Sequence, residues 1–363
     1  MSGTLYVVAT PLGNLGDLST RAAELLRNVP VVAAEDTRRT RGLLSHLGAS
    51  PTLLSFHAHS AEHRLESVLD ILRSGRDVAL VSDAGTPTVS DPGADLVGLA
   101  HQSGITVVPI PGPSAVAAAL SAAGLPGDRY LFLGFIPRKG RERSRLLQRA
   151  AVEEWTVVFY EAPPRLLALL EDLIPLAGAD RAVVVARESG ITVVPIPGPS
   201  AVAAALSAAG LPGDRYLFLG FIPRKGRERS RLLQRAAAEE WTVIFYEAPP
   251  RLVALLEDLI PLAGADRPVV VARELTKMYE EIRSGTLGEL VDYFTATPPR
   301  GELTIVLRGT GSPVAEPDRT EEAVEQAMSL LAEGLARREV ARRLTESLGL
   351  PRNEAYRLVM ELP

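Results

Sequence analysis

Over the first 124 residues, apolar positions fall in short unbroken runs that alternate with stretches of helical spacing. Runs at 5–11, 31–36, 52–57, 77–83 and 106–111 predict five strands. Between them, 18–28 and 61–74 read as helices; in the latter, Leu65, Val68, Leu69 and Leu72 share one face at 3.6-residue spacing. Strands that are apolar throughout, joined by helices, predict a parallel sheet covered on both sides. Residues 1–124 are expected to form one α/β domain.

From 130 the rhythm changes and then repeats. Strands are expected at 130–136, 156–160 and 182–186, with helices at 138–151 and 164–173. The whole block 103–188 reappears as 189–274 with four changes: Val152/Ala238, Val158/Ile244, Leu167/Val253 and Ala182/Pro268. Solenoid units are shorter and do not stop in mid-domain, so this is a tandem duplication of 86 residues in a 363-residue chain, leaving an ordinary parent of 277. The second copy predicts strands at 216–222, 242–246 and 268–272. Further strands at 280–284 and 303–308 complete a second α/β sheet.

A Gly-, Pro- and Ser-rich linker at 309–319 leads to three short helices near 320–333, 336–348 and 351–362, the last with Pro351 in its first turn. Leu335, Val340, Leu344 and Leu348 suggest their core, and Arg337, Arg338, Arg342, Arg343, Arg352 and Arg357 their basic surface.

The duplication leaves one copy surplus. The exit that damages least packing lies near Leu125 and its equivalent Leu211. On that reading 1–124 is the N-terminal α/β domain, 125–210 loops out, 211–309 is the C-terminal α/β domain, and 318–363 is a helix-turn-helix-like module. Lengthening a loop from about 5 to about 90 residues costs about 2.5 kcal/mol, against a typical stability of about 5–15 kcal/mol.

Composition narrows the chemistry. The absence of cysteine excludes disulfides, thiolate zinc sites and cysteine nucleophiles. No run approaches the roughly 18 apolar residues of a membrane span, and no signal-peptide pattern opens the chain, so a cytoplasmic enzyme is expected. The net charge of −5 argues against a general polyanion-binding field but leaves room for a local basic patch. His57, His59 and His63 lack companions at metal-ligand spacing, so no metal is expected.

Three Gly- and Pro-bearing turns follow strands. They are Ala9-Thr10-Pro11-Leu12-Gly13-Asn14-Leu15-Gly16-Asp17, then Ser82-Asp83-Ala84-Gly85-Thr86-Pro87, then Pro109-Ile110-Pro111-Gly112-Pro113-Ser114-Ala115. In open α/β sheets ligands bind beyond the carboxyl ends of strands. The second turn is neither a phosphate loop nor a dinucleotide fingerprint, and its aspartate suits a nucleoside carrying positive charge. Ser114 also reads simply as a helix cap.

With Glu35-Asp36-Thr37-Arg38, Phe245-Tyr246-Glu247-Ala248-Pro249 and Glu274-Leu275-Thr276-Lys277, these turns resemble the tetrapyrrole methylase superfamily. Within it they resemble the ribosomal RNA small subunit methyltransferase I family, over residues 1–310. The resemblance implies two α/β domains with S-adenosylmethionine in the cleft between them, usually as a homodimer. It implies methylation of the 2′-hydroxyl of a cytidine in 16S rRNA within the small ribosomal subunit. Ser82, Asp83, Ala84, Gly85, Thr86, Pro87 and Ser114 would line the cofactor from the first domain, and Tyr246, Glu247, Ala248, Thr276 and Lys277 from the second. Asp36 is the candidate base for the ribose hydroxyl, with capping of the helix at Thr37 as the competing role.

The segment 137–145 and its copy 223–231 carry five positive charges against one negative. Cations at a helix N-terminus run against the macrodipole, and phosphate contact accounts for them. On the looped-out reading, Arg224, Lys225, Arg227 and Arg229 meet RNA. Two alternatives stand beside this one: a tetrapyrrole-precursor methylase on the same fold, and an RNA-binding relic whose catalysis the duplication has impaired.

Overall fold

The computed structural model describes residues 2–56, 62–185 and 196–311, and, nearer the C-terminus, 327–328, 330–331, 335–348, 356 and 359–360. His57, His59, Arg352 and Arg357, and the side chains of His63 and Leu348, lie outside the described residues.

In the first domain β1 (Thr4–Val8), β2 (Val31–Ala34), β3 (Thr52–Ser55), β4 (Val78–Val81) and β5 (Thr106–Ile110) form a sheet in the order β3-β2-β4-β1-β5. Every neighbouring pair is parallel. The unbroken apolar runs are explained by burial on both faces: β4 sends Val78 and Leu80 into one cluster and Ala79 and Val81 into another. Helices α1 (Thr20–Asn28), α2 (Thr37–Leu47), α3 (Glu62–Arg73) and α4 (Ala94–Gln102) connect these strands.

The second sheet has seven strands: β6 (Tyr130–Phe135), β7 (Thr156–Tyr160), β8 (Tyr216–Phe221), β9 (Thr242–Glu247), β10 (Pro268–Arg273), β11 (Glu281–Thr286) and β12 (Leu303–Leu307). Their order is β11-β10-β12-β9-β8-β6-β7. Helices α5 (Ala115–Ala123), α6 (Arg141–Val152), α7 (Leu166–Ala177), α8 (Ala201–Ala209), α9 (Arg227–Ala238), α10 (Leu252–Ala263) and α11 (Leu287–Ala296) accompany it. No described helix is long and apolar enough to cross a membrane.

The duplicated segment departs from expectation in three ways. The stretch 125–210 does not loop out: β6 and β7 extend the second sheet at its edge, and β6 pairs with β8. Apolar strands with free backbone groups gain more by pairing than by exposure to water.

The exit from one copy to the other also lies upstream of Leu125. Helix α8 buries every residue from Val202 to Ala209, whereas its twin α5 buries only Val116 and Ala118. The carbonyl of Ala208 lies 2.8 Å from His101 Nε2 on α4, and a Cβ on Gly210 would stand 2.7 Å from the Gly98 Cα. The core thus takes β5 from the first copy and the following helix from the second.

Finally, 182–185 is not a strand, although its near-identical twin is β10. β10 is hydrogen-bonded on one side to β11 and on the other to β12. Those two strands lie outside the duplicated block, so the first copy has no ladder to join. Strand propensity is realised only where neighbours exist.

The C-terminal residues 312–363 form a separate unit. Within it α12 (Arg337–Leu348) buries Val340 and Leu344 against Ala327, Leu330 and Val359, with Leu335 partly covered. Arg337 spends one donor on the carbonyl of Val359, at 2.7 Å.

Candidate active site

The three turns of the first domain close on one another. Thr10 N–H donates to the Gly85 carbonyl at 2.8 Å and Gly85 N–H to the Thr10 carbonyl at 3.0 Å, an isolated antiparallel bridge. Thr10 Oγ1 donates to the Ser82 carbonyl (3.2 Å), and Thr86 Oγ1 to the Pro113 carbonyl (3.1 Å). Gly85 adopts φ +88°, and a Cβ there would stand 3.1 Å from Leu12 Cδ2. Glycine is needed both for that dihedral and for that approach. Asp83 is half-buried and Ala84 exposed at the rim, while Ser82, Thr86 and Pro87 are buried. Ser114 Oγ accepts from Ala117 N–H at 3.3 Å, so it does cap α5.

Carboxylates gather beside this cluster. Asp83 N–H donates to Glu35 Oε2 (3.3 Å), and Asp36 N–H donates to Asp83 Oδ1 (3.0 Å); Arg39 lies 3.5 Å from Asp83. Burial raises the Glu35 pKa; the hydrogen bond from Asp83 N–H opposes the rise and the Asp83 charge adds to it. Asp91 is pushed up to about 7, chiefly by burial, with the charges of Glu35, Asp83 and Asp214 adding and a hydrogen bond from Ser82 opposing.

Asp36 behaves differently. Its carboxylate accepts from Arg38 N–H at 2.8 Å as the N-cap of α2, and hydrogen bonds from the Arg38 side chain and backbone hold its pKa low. A carboxylate so committed is a poor proton acceptor near neutrality. The capping role wins.

Asp91 makes stability depend on pH. Its folded pKa lies above the ordinary value of 3.8, so the folded state keeps a proton that the unfolded state has lost. That contribution is complete below pH 3.8 and lost as pH rises through about 7. Asp91→Asn is expected to flatten the melting temperature between pH 5 and 8. A variant that still declines like the parent would place the effect elsewhere.

Sequence reasoning names Glu35 within the Glu35–Arg38 motif without giving it a role, and passes over the turn after Pro87. Thr88 (φ 70°) and Ser90 (φ 61°) both lie in the left-handed region, which is costly for a β-branched residue. Ser90 Oγ donates to the Asp214 carbonyl (3.2 Å), and a Cβ on Gly213 would stand 2.2 Å from the Thr88 carbonyl oxygen. Thr88 Oγ1 is buried and has no hydrogen-bond partner. A signal is present: Ser82-Asp83 recurs as Ser90-Asp91.

The second group of expected residues sits on the other sheet. Tyr246 is the last residue but one of β9, with its ring against Phe218 and Phe221 (5.1 and 5.3 Å). Glu247 is buried; it pairs with Arg251 and accepts from Ala248 N–H at 2.8 Å, while its Oε2 has no partner. Thr276 adopts φ 68°, and Lys277 Nζ bridges Glu274 (3.0 Å) and Glu302 (3.1 Å). The turn at Ser90 meets the second sheet at the amino end of β8, whereas Tyr246 lies at the carboxyl end of the parallel β9. Asp91 raises the pKa of Tyr160, the first-copy twin of Tyr246.

Of the basic residues, Arg224, Lys225 and Arg227 are exposed. Arg229 is not available: it forms an ion pair with Asp258 at 2.6 Å and donates to the Pro223 carbonyl. Its twin Arg143 does the same with Asp172 (2.7 Å). Asp258, 29 residues away on α10, has no signature in the local sequence.

Residues 4–190 and 184–291 match the model for tetrapyrrole (corrin/porphyrin) methylases. A ribosomal RNA small subunit methyltransferase I from a Synechocystis strain is 36% identical over 361 residues, 99% of this chain and 98% of that one. Its counterpart from Halalkalibacterium halodurans is 30% identical over 360 residues, 98% and 94% of the two chains. The one from Xylella fastidiosa Temecula1 is 52% identical over 186 residues, 51% of this chain and 68% of that one. Among solved structures, a uroporphyrin-III C-methyltransferase from Thermus thermophilus complexed with S-adenyl homocysteine aligns with 84% of this chain and 97% of its own, at 16% identity and a TM-score of 0.29.

Proposed function

Because the chain belongs to the ribosomal RNA small subunit methyltransferase I family of tetrapyrrole methylases, we propose that it methylates the 2′-hydroxyl of a cytidine in 16S rRNA. It is a methyltransferase and its methyl donor is S-adenosylmethionine. The substrate is the small ribosomal subunit, which places the reaction in the cytoplasm. The homodimer that the resemblance implies is part of the same proposal.

The observation that carries this reading is the Thr10–Gly85 interlock beneath the acidic rim of Glu35, Asp83 and Asp91. The residues fit the donor: the buried Thr88 Oγ1 beside the Gly85 turn lacks a partner that a polar ligand would supply. Ser82, Asp83, Ala84, Gly85, Thr86, Pro87 and Ser114 hold it from the first sheet. The resemblance implies Tyr246, Glu247, Ala248, Thr276 and Lys277 on the second; of these, Tyr246 and Glu247 lie at the end of β9 away from the Ser90 turn, and the first-copy Tyr160 stands nearer Asp91.

When bound, S-adenosylmethionine supplies an electrophilic methyl group on a positively charged sulfur. The acidic rim favours that charge. The ribose hydroxyl must lose its proton as its oxygen is methylated, and Asp91, titrating at about 7, suits that transfer. Asp91→Asn is expected to lower kcat and remove the acidic limb of its pH profile. Asp36→Ala is expected to lower the melting temperature with kcat little changed. The reverse pattern would return the base to Asp36.

Labelled methyl groups offered with unmethylated small subunits and, separately, with a porphyrinoid test the substrate. Label is expected in the RNA alone. Label in the porphyrinoid supports the tetrapyrrole reading, and binding of subunits without S-adenosylmethionine binding supports the relic.

A further inference from the structure

The carboxyl ends of β6 and β8 have the same sequence but different surroundings. A Cβ on Gly134, next to the end of β6, would stand 3.1 Å from Ser90 Oγ, on the turn that leads to Asp91. At the twin position Gly220 the nearest atoms are those of Asp128, and none belongs to the first domain. Burial and then the charge of Asp91 raise the pKa of Tyr160, whereas burial alone raises that of Tyr246. The acidic rim therefore faces the carboxyl ends of β6 and β7, in the first copy.

Phe135 closes β6 at that place, and it is 58% exposed. Phenylalanine is ordinarily a core residue. Its ring is held from behind: Tyr160, opposite it on β7, lies 5.1 Å away between centroids, and the buried Phe132 backs Tyr160 at 5.0 Å. The backbone that follows is pinned, with Arg165 donating to the Ile136 carbonyl (3.3 Å) and Arg143 to the Pro137 carbonyl (3.1 Å). Arg138, Lys139 and Arg141 come next and are exposed. Glu142, the one acid of this stretch, is taken up by Arg145 and Arg215. A fixed aromatic face followed at once by cations suits a strand of unpaired nucleic acid, in which every base offers a flat π face and every link a phosphate.

Resting on the RNA substrate proposed above, we propose that Phe135 is the stacking platform for an unpaired base at or next to the methylated nucleotide, which brings the attached ribose to the acidic rim. Phe221, 63% exposed and set against Tyr246 in the same way, has no such rim before it and does not take this part. The duplication thereby supplies its own control, two identical platforms with only one beside the rim.

Binding of unmethylated small subunits to the full chain, read by sedimentation, tests this. Phe135→Ala is expected to weaken binding on the order of tenfold, the loss that removing one stacking ring gives, with S-adenosylmethionine affinity unchanged. Phe135→Trp is expected to bind like the parent. Phe135→Leu, apolar but without a π face, is expected to bind as weakly as the alanine variant, and Phe221→Ala as well as the parent. Parent-level binding by Phe135→Ala overturns the proposal. So does parent-level binding by Phe135→Leu, which would mark an apolar contact with a ribosomal protein instead. An equal loss in Phe221→Ala, or S-adenosylmethionine affinity lost together with subunit binding, also contradicts it. Methyl transfer is not read in this experiment, so its outcome is independent of which atom is methylated.

Discussion

Gly85→Val is expected to weaken S-adenosylmethionine binding on the order of a hundredfold, about 2.8 kcal/mol, while the protein remains folded. The loop backbone at Gly85 has φ +88° and already faces Leu12 Cδ2 at 3.1 Å from where a Cβ would stand. A β-branched side chain must either shift Leu12 or swing the loop, and either movement breaks the mutual Thr10–Gly85 bridge. The strain of a left-handed β-branched residue costs roughly 1–3 kcal/mol. The melting temperature should therefore fall by several degrees without loss of cooperative unfolding. Calorimetric titration at a temperature where the variant is folded separates the two effects. Affinity equal to the parent's would remove this loop from the cofactor site.

The second large effect concerns RNA. Neutralising Arg224, Lys225 and Arg227 is expected to weaken small-subunit binding and flatten its dependence on salt. The logarithmic slope should change by about 0.7–0.9 for each phosphate that the protein ceases to neutralise. Neutralising Arg138, Lys139 and Arg141 should do a comparable amount, because the first copy is folded onto the sheet and those residues are equally exposed. Arg229→Ala should lower stability instead, since its guanidinium is tied to Asp258. Binding isotherms at several salt concentrations decide the matter. If only the second-copy set changes the slope, the first copy takes no part in RNA contact.

What the sequence shows and hides follows from the range of the forces involved. The strands of the first sheet are legible because burial on both faces leaves unbroken apolar runs such as Val78–Val81. The turn at Gly85 is legible because glycine at a left-handed dihedral, φ +88° here, is a local requirement. Helix α4 escapes the sequence reading: it follows a Pro-Gly turn, and its buried Leu96, Val97 and Ala100 give only a short stripe. The near-identical stretches behind β10 and 182–185 cannot be told apart locally, because the difference lies in β11 and β12, far along the chain. The loss of Arg229 to Asp258 and the choice of α8 over α5 are decided in the same non-local way. The Asp36 cap is legible, yet the acid that titrates near neutrality, Asp91, depends on burial that only the folded turn creates.

The most direct test is nucleoside mass spectrometry of 16S rRNA after small subunits lacking the modification are incubated with this protein and S-adenosylmethionine. Gain of 2′-O-methylcytidine at a single site, absent when the Gly85→Val variant is used, is the predicted result. Methylation of a base, or no change in the RNA while a porphyrinoid accepts the methyl group, would contradict it.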